Sequence, residues 1–316
     1  MATNMTTKPR WDVLGCGIVA VDEILYVECY PPADSKVIVS DTRREGGGLT
    51  GTALVAAARF GARAAYAGVL GYDEASNFTL EEFKREGVDI SHVIRRTGAS
   101  TYHGFIIVDQ TNKTRTIFSS NKGVVGRSPG EINKELISSC RVLFIDTLEP
   151  AGTLRAVQLA HALGIPVVAD FESVRDPRIL ELMAEVDHLI LPRHLAAKLS
   201  GSEDPERMVK WLAQNRRACT AVTCGDKGTW YTLMDGIIRH QPAFKIEPVD
   251  TTGCGDVFHG VYAACLAQGD IPLDQAILMA TAAAAIKATR PGGRSGIPDR
   301  HAVEQFLRER LEICSP

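Results

Sequence analysis

The residues best suited to chemistry stand in one run, Val249-Asp-Thr-Thr-Gly-Cys-Gly-Asp-Val-Phe-His-Gly260. Two glycines around a small residue feed directly into a helical pattern. Several backbone N–H groups would then lie free at the positive end of a helix dipole, which is an anion site. An aspartate in the first turn of such a helix is poorly placed merely to bind phosphate. It is well placed to accept the proton of a hydroxyl attacking a phosphoryl group held by those N–H groups. Asp256 is therefore a candidate general base. The same residues would serve equally as a glycine-rich helix start with Asp256 as a dipole partner, and physics alone leaves both readings open.

Other chemistries find little support. Gly15-Cys-Gly-Ile-Val-Ala20 satisfies the dinucleotide fingerprint, but a helix must start at its second glycine, and Ile18, Val19, Val21, Ile24 and Leu25 continue a β-rich stretch instead. No G-x-x-x-x-G-K-[ST] run occurs, which excludes a P-loop kinase. The cysteines and histidines lack zinc spacing, and no G-x-S-x-G is present. The 35 basic residues against 38 acidic, net charge -3, offer no polyanion-binding surface, so nucleic acid is not expected as a partner. The eight cysteines form no C-x-x-C pair and read as reduced thiols of a cytoplasmic protein. Met1 to Arg10 is polar and reads as a disordered tail without a signal peptide, and the longest apolar run, near Ala280 to Ile286, is too short for a membrane span.

These residues need a scaffold, and 316 residues at 45% hydrophobic can bury a large core. Trp11 to Val27 reads as β-structure broken by Gly15 and Gly17, followed by a strand at Lys36 to Val39. Gly46 to Gly48 then open an alanine-rich helix over Thr52 to Phe60, with Thr50 or Thr52 as N-cap. Strands at His103–Val108 and Thr114–Phe118 flank a polar turn, Gln110 to Lys113. From Arg141 onward, apolar runs at Val142–Ile145, Pro166–Ala169, His188–Leu191 and Ala221–Thr223 alternate with amphipathic segments at 152–163, 178–185 and 204–216. That rhythm implies βαβ units and a parallel sheet covered on both faces. The last third reads as helices over 256–268, 273–289 and 299–311. The expectation is an α/β body spanning 11–316 with a small antiparallel β lid drawn from about 23–45 and 100–120.

The D-T-T-G-C-G-D run resembles the C-terminal signature of the ribokinase (PfkB) family of sugar kinases. Four further blocks follow the family's order: Asp22 after Gly17, Gly47-Gly48 before a helix, Thr223-Cys-Gly-Asp-Lys-Gly228 after a late strand, and Thr289-Arg-Pro-Gly-Gly293 closing a helix. The resemblance covers about residues 12 to 311 and implies a three-layer α/β/α body with a β lid. It implies a kinase that uses ATP and Mg²⁺ to phosphorylate a small carbohydrate. Asp256 resembles the catalytic base, and the backbone of Gly253, Cys254 and Gly255 the anion hole. Asp22 resembles the carboxylate that binds sugar hydroxyls, with Gly47 beside it and Gly48 against the sugar, where a side chain would obstruct it. Thr223, Gly225 and Gly228 resemble the nucleotide side, together with Thr252 and Gly292. Asp250 and Thr252, with carbonyls near Arg290 and Gly292, resemble a monovalent-cation site that would take K⁺.

Within the family the pattern is most similar to the ketohexokinase and sulfofructose kinase branch, on Pro31-Pro-Ala-Asp-Ser-Lys36, Gly46-Gly-Gly48, His240-Gln-Pro-Ala-Phe244 and Thr289 to Pro298. Arg115 resembles a lid arginine that reaches the active site, and Asp34 a lid acid inserted into a partner's sugar site, which together imply a homodimer through lid strands. Lys36 resembles a basic residue that could face an anionic group. Three departures stand out. Thr52 and Leu49 occupy positions where asparagines usually hold sugar hydroxyls. Pro192-Arg-His-Leu195 replaces the N-x-x-E that organises Mg²⁺, leaving the metal to ATP phosphates and water or to Asp170 and Glu172. Leu148 stands where sulfonate recognition would want an arginine. A ketose or other hexose derivative is the expected acceptor. A nucleoside kinase, or a sugar- or nucleotide-binding regulator that has lost catalysis, are the alternatives.

Overall fold

The computed structural model describes residues 9–112, 114–214 and 217–312. Most of the tail expected over residues 1–10, the turn residue Lys113 and the end of the segment 204–216 lie outside the described residues. The first half runs β1 (Trp11–Cys16), β2 (Ala20–Val27), β3 (Asp41–Gly47), α1 (Leu49–Arg59), β4 (Ala64–Tyr66), β5 (Val69–Leu70), α2 (Glu74–Arg85), β6 (Ile94–Arg95), β7 (Tyr102–Asp109), β8 (Thr114–Ser120), α3 (Lys134–Ser138) and β9 (Cys140–Ile145). The second runs α4 (Pro150–Ala162), β10 (Val167–Asp170), α5 (Arg178–Glu185), β11 (His188–Pro192), α6 (Arg193–Ser200), α7 (Pro205–Leu212), β12 (Cys219–Thr223), β13 (Thr229–Leu233), β14 (Ile238–Gln241), α8 (Cys254–Gln268), α9 (Leu273–Ala288) and α10 (Arg300–Glu312).

Eight strands form one sheet in the order β14-β13-β12-β11-β10-β9-β1-β4. It is parallel from β4 to β12 and ends in the antiparallel β13 and β14. Both faces are covered, so the strands alternate between two apolar cores. Val13, Val142, Phe144, Val168 and Ile190 pack toward α1, α8 and α9, while Leu14, Leu143, Ile145, Val167 and Leu189 pack toward α3 to α7. Each such fully buried side chain contributes on the order of 1.5–3 kcal/mol. Helices α1 and α8 cross closely, because Gly260 has no side chain: a Cβ there would sit 2.1 Å from the Ala53 carbonyl oxygen. The strand order reverses at β1, with β4 on one side and β9 on the other, which opens a crevice at the carboxyl ends of the strands.

A second sheet, β3-β2-β7-β8, projects as the lid. Its two antiparallel pairs, β2 with β3 and β7 with β8, are joined by a parallel ladder between β2 and β7. Two local expectations change. Lys36 to Val39 forms no strand; β2 takes 41–47 as its partner, and Val37 and Ile38 are left exposed. Helix α1 starts at Leu49, three residues early, and its N-cap is Gly48 with φ +85°; the Thr50 hydroxyl instead reaches Asp146. The hairpin β13–β14 and helices α2 and α6 are further elements, not expected from the sequence. The seven described cysteines are unpaired thiols. No described helix is long and apolar enough to cross a membrane.

Candidate active site

Helix α8 begins where the sequence places its chemistry. Gly253 is the N-cap with φ +76°, a conformation that costs a side-chain-bearing residue about 1–2 kcal/mol. Asp256 is the third residue of the helix. The N–H groups of Gly253, Gly255 and Asp256 find no acceptor among the described residues, whereas Cys254 N–H turns back to the Thr251 carbonyl at 3.3 Å. The open donors are thus two glycines and the aspartate itself, while the Cys254 N–H, expected among them, is turned to the Thr251 carbonyl. Beside Gly253, the Thr52 methyl would lie 3.5 Å from an added Cβ.

The Asp256 carboxylate accepts no hydrogen bond among the described residues. Burial raises its pKa well above the usual carboxylate range, and Asp170 and Glu172 raise it further, against the pull of Arg294. Asp170 ends β10 and is itself raised by burial and by Glu172; its Oδ2 is buried without a hydrogen-bond partner. His259, one turn into α8, lies 3.3 Å from that oxygen. Its ring nitrogens face the Gly255 carbonyl at 2.8 Å and the Ile190 carbonyl at 3.1 Å, pinning the first turn of α8 to β11. Burial pushes its pKa down against the pull of the two carbonyls, and in its neutral form the ring carries one N–H and donates to only one of them. A helical repeat alone gave His259 no such role.

Across the crevice, Asp22 sits mid-way along β2, opposite Glu45 of β3 and Gly104 of β7. Its carboxylate fills the space of two missing side chains: a Cβ on Gly47 or on Gly104 would come 2.1 Å from one of its oxygens. Burial lifts its pKa to about 6. Gly48 has a reason of its own within the chain: a Cβ there would strike the Ile18 carbonyl oxygen at 2.6 Å, so backbone packing and a positive φ demand glycine.

Two residues under this floor were not singled out by sequence. Asp146, at the end of β9, is fully buried and accepts the Ile18 N–H, the Thr50 hydroxyl and the Leu148 N–H at 2.6, 2.7 and 2.9 Å. Burial raises its pKa to about 6 against those bonds. Arg294 is buried, donating to Glu82 at 2.6 Å and to the Gly47 carbonyl at 2.6 Å. Its charge acts on both Asp22 and Asp256, which ties the two sides of the crevice together.

Thr223, Gly225 and Gly228 come together at the end of β12, where they line a 590 Å³ cavity with Phe244, Ile246, Ala284 and Ala288. The cavity is mostly apolar, and at Thr223, Gly225 and Gly255 it meets a second, more polar trough lined by Arg193, His194 and Glu172. Gly228, with φ +89°, lets the Gln241 carbonyl approach.

Not every expected site residue gathers here. Asp34 and Lys36 stand on the segment between β2 and β3 and are exposed there. Leu49 and Thr52 lie in the first turn of α1, where Thr52 is buried. Arg115 of β8 reaches the Thr251 hydroxyl at 3.4 Å. Asp250, Thr252 and Gly292 do meet, but through each other's backbone groups: the Thr252 and Gly292 N–H groups bind the Asp250 carboxylate, and the Arg290 N–H goes to the Lys287 carbonyl.

A model of the pfkB family of carbohydrate kinases matches residues 15–300. The chain belongs to that family and is by class an ATP-dependent carbohydrate kinase. It is similar to the ribokinase of Haemophilus influenzae, 28% identical over 306 residues and covering 92% of this chain and 96% of that one. An ATP-dependent ribose-1-phosphate kinase of Halopiger xanaduensis is 29% identical over 312 residues, 95% and 99% of the two chains. A solved structure of a candidate ribokinase from Agrobacterium tumefaciens, 28% identical, covers 95% of this chain and 98% of its own with a TM-score of 0.86.

Proposed function

We propose that this protein transfers the γ-phosphoryl group of ATP to a hydroxyl of a small free carbohydrate, a ketose or other hexose derivative, in the cytoplasm. The observation that carries this reading is a carboxylate of raised pKa in the first turn of α8, beside backbone donors that bind nothing else. Asp256 takes the hydroxyl proton as the new O–P bond forms and the bond to the leaving ADP breaks. The open N–H groups of Gly253, Gly255 and Asp256 hold the phosphoryl oxygens. The apolar cavity beside Thr223 and Gly228 suits a nucleoside, and its Gly255 end suits the phosphates. Asp22, with both oxygens free of hydrogen bonds, suits neutral sugar hydroxyls.

Magnesium fits this arrangement through few ligands. Among the described residues no group of three metal-binding side chains exists. Glu172 lines the phosphate trough and Asp170 keeps a buried oxygen without a partner. Magnesium keeps several waters and is commonly held by one or two carboxylates with substrate phosphates, so Asp170 and Glu172 would hold it. When bound it neutralises charge on the transferring phosphate.

The test is ATP consumption with product detection by phosphorus NMR over ketoses, aldoses, nucleosides, sugar acids, sulfosugars and sugar phosphates. Turnover with a free ketose or hexose derivative is the expected result. Turnover with nucleosides alone would replace it by the nucleoside kinase reading. Binding of sugar or nucleotide without turnover would leave only a regulator.

Self-association through the lid is the second part of the proposal. Every residue of β8 is exposed and its outer edge is unpaired. Phe105 and Phe118, paired across β7 and β8, are exposed together, and Ile38, on the segment between β2 and β3, is 95% exposed. A second copy would cover such a patch and edge. Light scattering should give a dimer for the native chain and a monomer for Phe118→Lys; a monomeric native chain would refute it.

A further inference from the structure

The loop that carries the anion hole is braced from behind by residues expected to hold a monovalent cation, and the geometry there does not suit one. Each carboxylate oxygen of Asp250 is held by a backbone donor: Oδ1 accepts the Thr252 N–H at 2.8 Å and Oδ2 the Gly292 N–H at 3.0 Å. A hard cation wants such oxygens turned toward it. The main-chain oxygen of Asp250 is also taken. It accepts a hydrogen bond from Nζ of Lys287 at 2.8 Å.

Lys287 lies in the last turn of α9 and is 0% exposed, the one lysine in the buried set among the described residues. Lysine is almost never buried fully without a counter-charge, so its position calls for a reason. Burial pushes its pKa down and Arg115 adds to that, while Asp250 and Glu45 hold it up against them. Burial lifts the nearby Cys254 thiol to about 11, so that group stays neutral near pH 7. Lys287 does not reach the crevice floor or the nucleotide cavity. What its ammonium touches is the carbonyl at the start of the loop Asp250–Gly253, whose Gly253 N–H opens the anion hole.

An ammonium group carries the same single charge as potassium, is of similar size and binds the same carbonyl oxygens. We infer that Lys287 is a built-in monovalent cation: its ammonium fixes and charges the 250–253 loop, so the protein needs no potassium there. Lys287 is thus a positioning residue. Its effect on turnover rests on the kinase reading, whereas its exclusion of an ion does not.

The experiment uses the full chain with the Tris salt of ATP, in KCl, NaCl or tetramethylammonium chloride at equal ionic strength. Thermal melting and, where a substrate is in hand, kcat and KM are read. For the native protein, both melting and kcat should be the same in potassium and in tetramethylammonium within about twofold. Lys287→Ala opens the place of the ammonium. It should lose at least about tenfold in kcat in tetramethylammonium, the worth of one charge-assisted hydrogen bond. Potassium, and not tetramethylammonium, should raise its melting temperature and recover part of kcat, with KM for sugar little changed. Lys287→Met, which keeps the space filled, should lose activity without potassium rescue. A native protein activated severalfold or stabilised by potassium would overturn the inference. So would a folded Lys287→Ala that potassium leaves unmoved in both melting and kcat. If Lys287→Ala does not fold, the native comparison decides alone. Melting needs no turnover, so a failed kinase assignment and a failed inference give different results.

Discussion

Replacing Asp256 with asparagine is expected to lower kcat by roughly two to four orders of magnitude, the usual worth of a positioned general base. Asparagine keeps the shape and the helix start but cannot take a proton. Sugar and ATP affinities should stay within a few fold, because the N–H groups and Asp22 are untouched. Equal turnover in Asp256→Asn would sink the catalytic reading outright. The pH profile adds a sharper check. A base works only when deprotonated, so kcat/KM should fall as pH drops through the pKa of Asp256. Asp170 is the first neighbouring charge that raises that pKa, after burial itself. Asp170→Asn, read at saturating magnesium because it also removes a proposed ligand of that ion, should therefore move the acid limb toward lower pH. A limb that moved the other way would show that Asp170 acts on something other than the base.

Arg294→Met should be the most damaging single change to stability, costing about 3–5 kcal/mol in urea unfolding, as expected when one partner of a buried ion pair is removed. Glu82 would keep a buried charge beside Gly46, with only its Gly46 N–H bond and the more distant Arg85 for support. The same change frees the Gly47 carbonyl, so the lid strand and the start of α1 lose their common anchor. The double variant Arg294→Met, Glu82→Leu should recover much of the loss, since no charge is then stranded. A double variant no more stable than the single would mean that the pair matters through packing rather than charge.

The phosphate side of the site was legible because its determinants are local. Gly253, Gly255 and Asp256 lie within four residues, and a helix start tells what their backbone does. The sugar side was less legible because its supports come from far along the chain. Asp146 meets Thr50 across 96 residues, and Arg294 meets Glu82 across 212. Neither pairing leaves a pattern in the sequence. Gly48 shows what composition cannot carry: the Ile18 carbonyl that a Cβ there would strike comes from a separate strand connection. Lys36 to Val39 looked like a strand by composition, but composition cannot say that β2 already has a partner in residues 41–47. The body was readable throughout its βαβ half, since strands buried on both faces read as continuous apolar runs. Lys287 was hidden for the opposite reason. A lysine in the last turn of a helix is an ordinary dipole partner, and only the fold turns it inward.

The ladder that joins β2 to β7 ties residue 20 to residue 102, and its last hairpin closes at Ser120. During synthesis, then, all strands of the lid have been made when little more than a third of the chain exists. The crevice beneath it still lacks β9 to β12, and the helix carrying Asp256 is more than 130 residues away in the order of translation. An unfinished chain thus contains Asp22, the carboxylate proposed to meet the sugar, long before Asp256, the proposed base, has been made.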